Sequence, residues 1–190
     1  MKYDLHILTT PNAGRRMETL LSSLGDKAGE AIIHERAMPR LTIGWKVKAG
    51  YLDQYKKYVA IYFEVVKAGR PALILEDDAI GKPGWAAELA KPDGVPKDFD
   101  YLFVSDDVFD HPLEKVSDEW ARCRWSKTTC ATIVSPRGAE ALLKRRFLCT
   151  CAMDWTMNHV LAADASLQSY WHLRGLFIHG SRAGMYPTTI

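Results

Sequence analysis

Pro71-Ala72-Leu73-Ile74-Leu75-Glu76-Asp77-Asp78-Ala79 is the stretch on which the fold turns. Its first five residues are apolar without alternation, as in a strand covered on both faces of a sheet. Three carboxylates follow at once. Adjacent acids behind a buried strand repel one another and lose solvation, so a compensating cation is expected. A hard divalent ion, Mn2+ or Mg2+, held by one or two carboxylates and by ligand phosphates, meets that need. Alternation along an extended strand end puts Glu76 and Asp78 on the same side and Asp77 on the other, which makes Glu76 and Asp78 the expected metal clamp.

Outward from this strand, the chain alternates strand-like and helix-like segments. Tyr3–Leu8 reads as a strand, Thr9–Gly14 as a loop of turn and capping residues, and Met17–Leu24 as an amphipathic helix. Ala31–His34 reads as a second short strand. Tyr51, Tyr55, Tyr58, Val59, Tyr62, Phe63 and Val66 recur at helical spacing up to Ala68, and Gly69 is the stop. That stripe is expected to pack on a sheet. Tyr101–Val104 repeats the device of an apolar run ending in acids, here Asp106 and Asp107. Thr129–Ser135 precedes a helix over Arg137–Arg146, Asp154–Ala163 is a further helix, and Leu176–His179 a last strand. The pattern predicts an α/β fold in one domain over residues 1–190, with a mostly parallel central sheet and helices on both faces. Ligands of such sheets bind beyond the carboxyl ends of the strands.

Composition narrows the class. The chain has 190 residues, 47% hydrophobic and 25% charged, within the globular range, and no run approaches the roughly 20 apolar residues of a membrane span. Met1-Lys2-Tyr3-Asp4 lacks the layout of a secretory signal, so a cytoplasmic protein is expected. Cys123, Cys130, Cys149 and Cys151 match no paired zinc spacing and read as reduced structural thiols. The net charge of +2 hides segregation: Arg36–Arg70 and Arg122–Arg146 are basic, and Pro71–Glu119 between them is acidic. Basic segments flanking an acidic metal site suit a polyanionic ligand. Thr9, Thr10, Asn12 and Arg15 occupy the first strand-to-helix loop, where backbone N–H groups and an arginine suit a nucleotide diphosphate.

Leu73-Ile74-Leu75-Glu76-Asp77-Asp78-Ala79 resembles the Leu-Glu-Asp-Asp signature of glycosyltransferase family 25, which includes lipooligosaccharide sugar transferases and collagen galactosyltransferases. Arg15-Arg16, the long helix, Gly138-Ala139-Glu140-Ala141-Leu142-Leu143 and Met153-Asp154-Trp155 are similar to that family's other segments in the same order. Leu41–Gly50 stands where the family has a Gly-Cys-x-x-Ser-His stretch. The resemblance implies a GT-A nucleotide-diphospho-sugar transferase fold and a hexosyltransferase using a UDP-sugar of glucose, N-acetylglucosamine or galactose type. It also implies that Glu76, Asp77 and Asp78 sit at the donor, that His179 joins the metal as a late histidine, and that Asp154 is the general base, with Asp106 and Asp107 as competitors.

Trp45 with Lys46, Arg124 with Trp125, and Trp155 interleave aromatics and cations and are the candidate acceptor-binding residues. Hydroxymethylated DNA, with 5-hydroxymethylcytosine flipped or single-stranded, is the acceptor the sequence leans to, and a glycan is the alternative. A metal-dependent phosphoryl-transfer enzyme and a non-catalytic nucleotide-binding module complete the choices. The chain has no Walker-type Gly-Lys-Ser/Thr loop and no Asp-x-Asp-x-Thr sequence, which counts against phosphoryl transfer.

Overall fold

The computed structural model describes residues 1–35, 49–91, 94–107, 114–145 and 151–186. The elements run β1 (Asp4–Leu8), α1 (Arg15–Leu24), β2 (Ala31–His34), α2 (Ala49–Ala68), β3 (Ala72–Glu76), β4 (Ala79–Gly81), α3 (Trp85–Ala90) and β5 (Tyr101–Phe103). They continue with β6 (Glu114–Lys115), β7 (Trp120–Arg122), β8 (Ala131–Val134), α4 (Pro136–Lys144), α5 (Met153–Ala163), β9 (Ser169–His172) and β10 (Phe177–His179). Eight strands form one sheet in the order β2-β1-β3-β8-β5-β9-β7-β6, and β10 pairs with β4 in a separate two-stranded ribbon. Strands β1, β2, β3, β5, β6 and β9 point one way, and β7 and β8 the other, so the sheet is mostly parallel, as the alternation of elements predicts.

Strand alternation sorts the core. Even-numbered Leu8, Ala72 and Ile74 face Tyr58, Ile61, Tyr62 and Val65 of α2 together with Leu142 of α4 and Val160 of α5. Odd-numbered Leu5, Ile7, Leu73 and Leu75 face Leu20 and Leu24 of α1 and Trp85 and Leu89 of α3. The whole apolar part of β3, Ala72–Leu75, is fully buried between these two layers. The helix stripe read from the sequence is half corrected. Tyr58 and Tyr62 are core, but Phe63 and Val66 are exposed, and Ile61 and Val65 take their places.

Helix boundaries follow local chemistry. Gly69 adopts φ 65 and its N–H donates to the Val65 carbonyl at 3.0 Å, ending α2 where the sequence put its stop. At α4, the Ser135 hydroxyl accepts from the Gly138 N–H at 3.0 Å, and Pro136 occupies the first turn. Gly138 lies so close to β5 that a Cβ there would sit 2.5 Å from the Asp100 carbonyl oxygen. Helix α5 has no basic residue in its last turn. Its C-terminal carbonyls are instead met by Arg145, which donates to Val160 at 3.0 Å and Ala163 at 3.1 Å, and by Arg124.

Four short strands escape the sequence reading: β4, β6, β7 and β9. Cys123 and Cys130 are buried, Cys151 is partly exposed with its sulfur 3.6 Å from the Thr156 hydroxyl, and no disulfide forms among the described residues; Cys149 lies outside them. Among the described residues, no helix is long and apolar enough to cross a membrane.

Candidate active site

The carboxyl ends of β1 and β3 open into a cavity of about 490 Å3 whose lining includes Thr9, Thr10, Glu76, Asp77, Asp78, Asp154 and His179. Its volume is in the range of small-ligand sites. Strand β10 completes the wall. The register of β10 on β4 puts His179 opposite Ala79, and the Gly180 N–H donates to the Asp78 carbonyl at 2.9 Å. A histidine about a hundred positions along the chain is thereby fixed beside the acidic turn.

The three acids divide their tasks. Glu76 ends β3 on the α2 side, where its Oε1 accepts from Thr129 Oγ1 at 2.5 Å, Gln54 Nε2 at 2.8 Å and Tyr58 Oη at 3.1 Å. Burial, and next the charge of Asp78, push Glu76 up to about 7 despite those donors. Asp77 points toward α1 and takes the Thr9 hydroxyl at 3.1 Å, the Thr10 N–H at 3.3 Å and the Arg16 guanidinium at 3.3 Å. It ties the first strand-to-helix loop to the end of β3. Asp78 contacts His179 Nε2 through Oδ2 at 3.2 Å, and its Oδ1 is buried with no hydrogen-bond partner.

His179 stands between two carboxylates. Its Nδ1 meets Asp107 Oδ2 at 2.9 Å while Nε2 meets Asp78. Burial disfavours the imidazolium, but the hydrogen bonds to Asp107 and Asp78 outweigh it and lift His179 to about 10. Asp107 also receives Arg182 on Oδ1 at 2.9 Å and the Ser105 hydroxyl on Oδ2 at 3.2 Å. Burial opposes its charge, yet these partners hold it below the usual carboxylate range.

The donor set fits a divalent cation. Ligand atoms of Asp78, Cys130 and His179 lie within 4.8 Å of one another, and the orphaned Asp78 oxygen is an acceptor awaiting a positive partner. Burial drives the Cys130 thiol well above its ordinary value, so it stays protonated, whereas a cation seated here would displace the Nε2 proton that His179 now gives to Asp78 and so take the carboxylate and the imidazole as its ligands. Glu76 adjoins this pair, but its carboxylate is turned onto α2 and Thr129 and falls outside that ligand cluster.

Several expected residues land elsewhere. Asn12 and Arg15 are exposed and do not line the cavity; the arginine that does is Arg16. Arg16 shares the inward face of α1 with Leu20 and Leu24 at intervals of four, a spacing that identifies it from sequence. Asp107 lies behind His179 with both oxygens engaged, which suits orientation of the imidazole and not proton abstraction. Asp106 is occupied by Lys82 at 3.1 Å and the His179 N–H at 3.2 Å. Asp154 does line the cavity, in the first turn of α5 whose N-cap is Ala152. Burial raises its pKa, opposed by the Trp155 N–H bound at 2.8 Å.

Arg124 is not turned to a ligand. Its guanidinium donates to the carbonyls of Leu161, of Leu167 at 2.7 Å and of Asp164 at 2.9 Å, fastening the end of α5. Trp125 and Trp155 meet edge to face with centroids 5.7 Å apart, Trp155 is 50% exposed, and Lys127 Nζ lies 5.7 Å from the Trp125 ring. Trp45 and Lys46 lie outside the described residues. The sequence reading also missed Gln54, Lys57 and Arg182 in the cavity wall, which Lys127 of the Arg122–Lys127 segment joins as well. Lys57, buried, donates to the Thr9 carbonyl at 2.7 Å and pairs with Asp53 at 2.7 Å.

No family model matches the chain, and no curated protein does. Among solved structures, the chain is similar to a glycosyltransferase involved in the glycosylation of the major capsid of PBCV-1, with TM-score 0.55 and 12% identity over 95% of this chain and 96% of that one. The inositol-1-phosphate CTP transferase of T. maritima superposes with TM-score 0.47 and 13% identity over 93% of this chain and 89% of that one. The first likeness shows a fold shared with that glycosyltransferase.

Proposed function

We propose that the cavity binds a nucleoside-diphosphate sugar together with a divalent cation and transfers the sugar to an acceptor hydroxyl. The observation that carries this reading is the buried, unpartnered Asp78 oxygen beside His179, in a cavity also lined by Arg16, Lys127 and Arg182. An acidic cation seat with cationic side chains in the same wall suits a diphosphate bound together with a metal. The resemblance of Leu75–Asp78 to the Leu-Glu-Asp-Asp signature supports the same reading, as does the shared fold.

Asp78 and His179 would hold Mn2+, which suits the imidazole better than Mg2+ does. Bound there, the ion supplies charge neutralisation for the departing diphosphate. Asp107 holds the Nδ1 side of His179 so that Nε2 faces the cation seat. Asp77 keeps Thr9, Thr10 and Arg16 in the wall where the nucleotide rests. Asp154 takes the proton from the acceptor hydroxyl as its oxygen bonds to the anomeric carbon and the carbon–diphosphate bond breaks. A base whose pKa is raised by burial is suited to that transfer. The donor proposed is a UDP-sugar of glucose, N-acetylglucosamine or galactose type.

The acceptor docks against Trp155 and Trp125. Hydroxymethylcytosine in DNA and a glycan both offer a hydroxyl and a ring or base to pack on an indole. Arg124 is consumed in capping α5, which removes a phosphate contact from the DNA reading, so the glycan is the better supported acceptor.

Incubation with a panel of UDP-sugars and Mn2+, with glycan acceptors or hydroxymethylcytosine DNA, tests this proposal. Release of UDP with sugar transferred to a glycan is expected, and transfer to DNA would reverse the choice of acceptor. Tight UDP binding with no release from any donor would leave a binding module, and hydrolysis of phosphoesters alone would mark a phosphoryl-transfer enzyme.

A further inference from the structure

Away from the acidic turn, β1, β2 and α2 gather three more ligand-type side chains. The parallel register sets Leu8 opposite His34 and His6 opposite Ile32, so the two histidines are diagonal neighbours on one face of the sheet. Their rings stack with centroids 5.2 Å apart, and His6 Nδ1 lies 2.9 Å from His34 Nε2. Glu64 of α2 reaches down to within 3.6 Å of the same His6 nitrogen. The three ligand atoms all fall within 4.8 Å of one another.

We infer that His6, His34 and Glu64 form a second cation site, of the two-imidazole, one-carboxylate kind that takes Zn2+, separate from the donor cavity. At 2.9 Å the two ring nitrogens share one hydrogen-bonding proton, one donating and one accepting, and a cation bound here would replace that proton. Tetrahedral zinc with Zn–N of about 2.0–2.1 Å sets its nitrogens about 3.4 Å apart, so the pair opens by roughly half an ångström to accept the ion. Nitrogen-rich donors exclude Mg2+ and Ca2+, which demand oxygen shells. His6 is 2% exposed while Glu64 has 52% of its side chain open, so the cluster is buried on the sheet side and reachable from the helix side.

The site has a structural reach. The His34 carbonyl accepts from the Thr9 N–H at 3.2 Å, and Thr9 in turn holds Asp77, so an ion here pins the edge strand β2 to the wall of the donor cavity. This inference does not depend on the transferase reading.

The test uses metal-stripped full-length protein carrying Asp78→Asn to silence the acidic turn, with Zn2+ binding measured by competition against a chromophoric chelator and Co2+ binding by its ligand-field absorption. One equivalent of Zn2+ and a tetrahedral Co2+ band are expected. Adding Glu64→Gln, at an exposed side chain, weakens Zn2+ by at least about tenfold, and His34→Gln removes both signals. Zn2+ binding unchanged by Glu64→Gln, or no binding in the Asp78→Asn protein while circular dichroism shows it folded, would overturn the inference. Should His34→Gln fail to fold, the Glu64→Gln result decides alone.

Discussion

Arg124→Ala separates a structural arginine from a substrate-binding one. The side chain donates to three carbonyls, those of Leu161, Asp164 and Leu167, at the end of a helix that has no cation of its own there. Leu161 and Leu167 are buried, so their carbonyls regain little from water when the guanidinium is removed. At about 1 kcal/mol for each of these two bonds, and nothing for the more exposed Asp164, the loss is about 2 kcal/mol. For a domain of this size, each kcal/mol moves Tm by roughly 2–4 °C, which gives a fall of about 4–8 °C. Thermal unfolding followed by circular dichroism measures the fall, and acceptor titration of the same variant measures KM. The expected result is the lowered Tm with acceptor KM within about twofold of the parent. An unchanged Tm with a raised acceptor KM would refute the capping role and return Arg124 to the acceptor.

Asp154→Asn lowers kcat by about two to four orders of magnitude and leaves UDP affinity unchanged by calorimetry, because only the proton acceptor is lost. With the parent enzyme, kcat falls on the acid side of an apparent pKa above the ordinary aspartate value, since the deprotonated form is the active one. Gly138→Ala forces a methyl group into the Asp100 carbonyl at 2.5 Å and costs about 1–3 kcal/mol, read as a drop in urea midpoint. His172 is buried with both ring nitrogens unpartnered, and burial lowers it from 6.5 to about 4. The unfolded chain therefore binds the proton first, and this contribution to stability is complete above pH 6.5 and is lost as pH falls toward 4. Between pH 7 and pH 5 the loss is about 2 kcal/mol, and His172→Phe, which keeps the edge contact with Trp120, removes that part of the acid sensitivity.

Much of the architecture is legible in the chain because its strongest signals are local. The unbroken apolar run Ala72–Leu75 marks the central strand and the acids behind it mark the strand end, with no knowledge of what packs there. Gly69 and the Ser135-Pro136 pair announce a helix end and a helix start through backbone chemistry alone. Strands β6, β7 and β9 were not legible for the opposite reason. Trp120–Arg122 and Ser169–His172 are short and mixed in polarity, and they become strands only by pairing, with each other and with β6 and β5 on their far sides. The site shows the same division. Acids at the end of a strand announce themselves, whereas Gln54, Tyr58 and Thr129 reach Glu76 across 18 to 53 positions and only the fold brings them together. The role of Asp107 was misplaced because sequence gives its position after β5 but not the partners, His179 and Arg182, that occupy both its oxygens. Arg124 was misread likewise: its interleaving with Trp125 suggests a ligand surface, while its guanidinium is spent on the carbonyls of α5.

The two cation seats inferred for this chain differ in chemistry and should differ in metal. The acidic turn offers a carboxylate and one imidazole, whereas the edge of the sheet offers two imidazoles and a carboxylate. Loop Thr9–Thr10 touches both, through the His34 carbonyl on one side and Asp77 on the other. Zn2+ at the edge would thus stiffen the nucleotide wall without entering the reaction.

Calorimetric titration of UDP, with and without Mn2+, into the parent protein and Asp78→Asn decides whether Asp78 seats a cation that the nucleotide shares. Mn2+ is expected to tighten UDP binding to the parent by at least about tenfold, and Asp78→Asn, still folded, to bind UDP as the metal-free parent does. Full metal-dependent UDP binding by Asp78→Asn, or binding by the parent that is indifferent to Mn2+, would contradict it.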